Sequence, residues 1–130
     1  MRVARPLHLI LASALVACAS GASRPGTSPA HDANVADIGE IRAAQAQGVT
    51  TAYDLVTLRH ANWMRTTAVN TRGQMSTASV WLDGQRLGGL SSLRSVLLST
   101  VTQIRYLSPS EAQGQFGLNN LGGAIAVSTR

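Results

Sequence analysis

Ala78-Ser79-Val80-Trp81-Leu82-Asp83-Gly84-Gln85-Arg86-Leu87 is the stretch that decides the fold. Ala78 to Leu82 is apolar and suited to a strand. Asp83-Gly84 then predicts a two-residue hairpin turn, because glycine accepts the positive φ that primed turns demand. Gln85 to Leu87 forms the short return strand. A hairpin alone is marginal in water, so the rest of the sheet must come from elsewhere in the chain.

Downstream, Ser91 to Leu98 reads as a helix, with Leu90, Leu93, Val96 and Leu97 at helical spacing. Val101 to Leu107 alternates as a strand and is expected to bury Ile104 and Tyr106. Ser108-Pro109-Ser110-Glu111 opens another short helix, with proline at its first position, and Gly117 ends it. Gly122 to Thr129 reads as the last strand. Upstream, Asp37-Ile38-Gly39-Glu40 has the spacing of a capping box, and Ile38, Ile41 and Ala44 continue it to a stop at Gly48. A second helix runs from about Thr51 to His60, with Thr50 or Thr51 as cap. The expectation is a small α+β domain with one mixed sheet and short helices over residues 37–130.

The N-terminus has a different organisation. Arg2 and Arg5 precede an apolar block from Pro6 to Val16, and small residues follow at Ala17, Cys18 and Ala19. This is the order of a secretory signal over residues 1–17. The block is too short for a membrane span, which needs about 20 apolar residues. Residues 18–36 form an expected linker, with Gly21, Pro25, Gly26 and Pro29 and no apolar periodicity.

The 130-residue chain carries a formal charge of +5, all of its cations being arginine; removing Arg2 and Arg5 leaves 5 − 2 = +3. The arginines lie far apart and aromatics are only 4%, which argues against a nucleic-acid footprint. Cys18 is the single cysteine, so no disulfide forms within the chain. His60 is the one histidine in the expected domain, so no set of metal ligands is visible and no cofactor is expected. A phosphate loop is excluded by the lack of lysine, and no serine sits in a nucleophile elbow. His60 reads as solvent-exposed or helix-terminal and Trp81 as a core residue, although Trp63 and Trp81 also suit stacking on a sugar or a partner. No catalytic residues are expected.

Two resemblances carry the functional expectation. Leu15-Val16-Ala17-Cys18 resembles the lipobox of bacterial lipoproteins, which implies cleavage before Cys18 and a lipid on its thiol. Ala19 and Ser20 follow with no aspartate, which in that family goes with outer-membrane sorting. Val80-Trp81-Leu82-Asp83-Gly84 resembles the V-x-V-D-G hairpin in the plug domain of TonB-dependent outer-membrane receptors. Ile104-Arg105-Tyr106-Leu107 resembles that family's I-E-V-L strand. Phe116-Gly117, a spacer of five, and Gly123 to Arg130 resemble its Y-G … G-x-I-x-I-x-T-K ending. The helix Tyr53 to Leu58, followed by Trp63 and Met64, resembles a preamble of short plug-like proteins.

In a receptor the barrel would begin where this sequence stops, and no TonB box is evident. The resemblance therefore implies a plug-like domain without a pore, lipid-anchored at the periplasmic face of the outer membrane. An envelope protein or an outer-membrane barrel is the expected partner, and nucleic acid is not. A second expectation is a periplasmic binder of a siderophore, cobalamin or glycan, framed by the loops Gln85–Gly89 and Gln113–Gly122. Asp83, Gly84, Gly117, Gly122 and Gly123 are expected to serve the fold rather than a ligand.

Overall fold

The computed structural model describes residues 32–65, 67–69 and 73–130. The signal segment, Cys18 and the linker up to residue 31 lie outside the described residues. The described chain is α+β, with a five-stranded mixed sheet and a separate two-stranded one. The large sheet contains β1 (Val35–Ala36), β4 (Ser79–Leu82), β5 (Gln85–Gly88), β6 (Gln103–Leu107) and β7 (Ala124–Ser128) in the order β1-β6-β7-β4-β5. β2 (Thr67–Val69) and β3 (Met75–Thr77) make the small sheet.

The hairpin forms as expected. Asp83 at φ 47° and Gly84 at φ 83° give a type I′ turn between β4 and β5. The last strand does more than add an edge. β7 lies at the centre, antiparallel to β6 and parallel to β4. Its Ile125 and Val127 are buried, as the near-continuous apolar run of a covered strand requires.

Helices cover one face of the large sheet. α1 (Ile38–Ala46) begins on Asp37, whose side chain accepts from Glu40 N–H at 2.8 Å. α2 (Ala52–Arg59) begins on Thr51, whose hydroxyl accepts from Asp54 N–H. α3 (Ala61–Arg65) follows after His60 and buries Trp63. Ile41, Leu55, Val56 and Trp63 meet Val80, Ile104, Ile125 and Val127 in the main core. Each such aliphatic side chain contributes about 1.5–3 kcal/mol when fully buried, which makes this cluster the chief source of stability.

α4 (Pro109–Phe116) covers part of the opposite face, with a complete capping box between Ser108 and Glu111. It buries Ala112 against Leu107 and Ala124, with Trp81 and Phe116 packed at the side.

Three expectations are corrected. Ser91 to Leu98 is not an α-helix but two 3₁₀ segments, Leu90–Ser95 and Leu98–Thr100, separated at Val96. The serines here bond back to the chain instead of extending a helix: Ser92 Oγ donates to Gly89 O and Ser95 Oγ to Ser92 O. The sheet also begins earlier than Asp37, since Val35 and Ala36 pair with Arg105 and Ile104 and Ala36 is fully buried. His60 terminates α2 as expected, but it is buried rather than exposed.

Candidate functional site

The most distinctive surface surrounds the segment Leu97–Thr100. Its backbone is laced to the start of α2: Ala52 N–H donates to Val96 O and Leu98 N–H donates to Thr50 O, both at 2.9 Å, and Thr51 bridges Leu97. The 3₁₀ break at Val96 sends Val96 inward and turns Leu97 outward, where it is 54% exposed. Leu97 is thus a large apolar side chain presented on a backbone fixed from both sides.

Three shallow depressions meet around this ridge. One of about 460 Å³ lies between Leu97 and Val49. One of about 320 Å³ lies between Leu97 and Leu87, floored by Leu82 and Val96. The largest, about 590 Å³, extends from Leu98 past Ile38 to Arg42 and Arg130. Neighbouring hollows share walls in pairs, Leu97 between the two smaller ones, Leu98 and Ser99 between the first and the largest, and Thr100 between the second and the largest, so the three adjoin as a trough along Leu97–Thr100. Among the described residues, no acidic residue lines any of the three.

A polar depression of about 430 Å³ lies elsewhere, lined by Glu40, Arg59, His60 and Asn62. His60 Nε2 is 3.0 Å from Glu40 Oε1, with both side chains less than a tenth exposed. The imidazole stacks on Trp63 at 3.9 Å between ring centres, and Trp63 lies 6.0 Å from Tyr106. This arrangement joins α1 to the α2–α3 corner. The contact has the form of a buried structural pair.

The expected site residues fall into structural roles. Asp83 ties the hairpin to Thr129, Gly84 completes the turn, and Gly117 ends α4 at φ 95°. Gly122 packs so closely that a Cβ there would lie 2.4 Å from the Thr77 backbone. Gly123 combines φ 84° with a Cβ position 2.6 Å from Leu107 O. Cys18 lies outside the described residues.

Trp63 is wholly buried. Trp81 is half-buried, stacked on Phe116 at 4.1 Å, with its Nε1 donating to Ser79 Oγ at 2.9 Å. Trp81 pairs in register with Arg86 of the first expected loop and stacks on Phe116 of the second. None of the four depressions draws residues from Gln113–Gly122.

Leu97 and the Glu40–His60 pair were not legible as surface features. The helical spacing grouped Leu97 with Leu90, Leu93 and Val96, and the 3₁₀ break separates it from the buried Leu93 and Val96. Glu40 sits where a capping-box glutamate would, but its carboxylate turns to His60 instead of to the cap.

No family model matches the chain, and no curated protein matches it at a significant level. Among the described residues, no helix is long and apolar enough to cross a membrane.

Proposed function

We propose that the chain is a lipid-anchored, plug-like interaction module of the cell envelope. The observation that supports this reading is the placement of its three motif segments. The Val80–Gly84 hairpin, the Ile104–Leu107 strand and the Gly123–Arg130 ending are far apart in sequence yet lie side by side. β7 pairs Tyr106 with Ile125 on one side and Val80 with Ile125 on the other. A single plug-like architecture requires such convergence, and this is what supports the reading.

The anchor follows from Cys18 and the Pro- and Gly-bearing stretch after it, which resembles a lipoprotein tether. A tethered domain of this kind acts by contact with another envelope component, and the trough around Leu97 supplies a surface for it. Pull-down from detergent-solubilised envelopes, with the full chain as bait, is expected to recover the same envelope protein in repeated preparations. Consistent recovery of the bait alone overturns the module. Cys18→Ser is expected to move the chain from the membrane fraction to the soluble one, and mass spectrometry of the mature N-terminus reads the acyl group directly.

A further inference from the structure

We infer that the trough around Leu97–Thr100 receives an acidic, amphipathic segment of a partner protein. Two apolar side chains of that segment straddle Leu97, and its carboxylates meet Arg42 and Arg130. The inference rests on the interaction-module reading and specifies where and what the module binds.

Shape sets the first requirement. The depressions on the two sides of Leu97 have mostly apolar walls, with Val49 on one side and Leu82, Leu87 and Val96 on the other. A central ridge between two apolar hollows accepts a pair of apolar side chains from one segment, as in the anchoring of amphipathic helices in grooves. Ile38 and Leu87 are also about two-fifths exposed, so the apolar contact extends along the trough. The ridge is preorganised, because both backbone bonds that hold Leu97 run to the cap of α2. Little ordering cost then falls on this side of the contact.

Charge sets the second requirement. Arg42 and Arg130 line the largest hollow, and among the described residues no acidic residue lines the trough, Asp83 beside Arg130 lying outside it. The nearby Asp37 and Asp83 carboxylates are held by Glu40 N–H and by Thr129. A second copy using the same face would set arginine against arginine across a two-fold axis, an arrangement that like charge disfavours. A lipid surface fits less well. Leu97 is the one apolar group of the trough that projects, the others lining hollows, and two arginines add only modest attraction to anionic headgroups.

The test is photo-crosslinking in intact envelopes, using the full lipid-anchored chain with benzoylphenylalanine at Leu97, Leu87, Leu58 or Leu118. Leu58 and Leu118 are 71% and 79% exposed and lie outside the trough. The expected result is crosslinking from Leu97 and Leu87 to one protein. Peptide mapping should place the adduct in a segment that alternates apolar and acidic residues. Arg42→Glu with Arg130→Glu should lower that yield about tenfold, and raised salt should lower it further. Thermal melts of these surface variants matching the parent would show that the fold is intact. Crosslinks only from Leu58 or Leu118 overturn the inference but leave the module standing. Crosslinks from Leu97 to a second copy or to lipid overturn the inference, as does a yield indifferent to charge reversal. Failure at all four positions removes the module as well.

Discussion

The Asp83 carboxylate accepts two hydrogen bonds from Thr129, one from the backbone N–H at 2.9 Å and one from the hydroxyl, across 46 residues of sequence. The tip of the β4–β5 hairpin is thereby fastened to the end of β7. Asp83 reads from sequence as a turn residue, yet its side chain also acts as a clasp.

That clasp makes stability acid-sensitive. The Thr129 hydroxyl and N–H hold the Asp83 carboxyl below the usual carboxylate range, with a smaller contribution from Arg130. The Ser108 hydroxyl and N–H lower Glu111 in the same sense. A carboxylate with a folded pKa below its unfolded one stabilises the fold at pH values above the unfolded value, near 4. The contribution is lost as pH falls through the lower, folded value. Urea midpoints should therefore hold steady down to about pH 5 and decline below about pH 4. Asp83→Asn keeps a residue suited to a type I′ turn but removes the charge, so its decline should be shallower. An unchanged slope would show that the clasp does not titrate.

Gly122 and Gly114 should respond to the same substitution with opposite signs. A Cβ at Gly122 meets the Thr77 carbonyl group at 2.4 Å and Ser76 O at 2.6 Å, all backbone atoms that cannot rotate away. Gly122→Ala should cost about 2–3 kcal/mol as an overpacking change. Gly114 lies inside α4 with nothing within 4 Å of its Cβ position. Gly114→Ala should stabilise by about 0.5–1 kcal/mol. Thermal denaturation of the two variants in parallel checks both signs.

Glu40→Ala should cost about 2–3 kcal/mol, because it takes away the oxygen that faces a buried imidazole. Glu40→Gln keeps an oxygen for that contact and should lose less. The near-ultraviolet signal should change with Glu40→Ala, since His60 stacks on Trp63.

Ser108→Ala removes the hydroxyl that caps α4 and should cost about 1 kcal/mol. The loss should appear first as increased amide exchange around Ala112, which covers Leu107 and Ala124.

The strands and caps were legible because their signals are local. Asp83-Gly84 needs only its own dihedral demands to announce a turn, and Ser108-Pro109 only its own capping chemistry. Ile125 and Val127 announce a strand by alternation, but nothing within that strand says that it is central. That depends on pairing with both β4 and β6, a relation between segments. Leu97 was misread for the opposite reason. Its spacing fits an α-helix, and the surrounding serines tighten the backbone into 3₁₀ turns that shift its face. Val35 and Ala36 are too short a run to show a period, and only the edge of β6 makes them a strand.

The central position of β7 has a consequence for the order in which the domain can assemble. β4 and β6 do not touch each other in the sheet; each meets only β7 on its inner side. Until residues 124–128 are present, the hairpin and the β1–β6 pair remain separate fragments with their apolar faces uncovered. Joining the two into one sheet therefore waits on this strand, and cooperativity should be lost together with it.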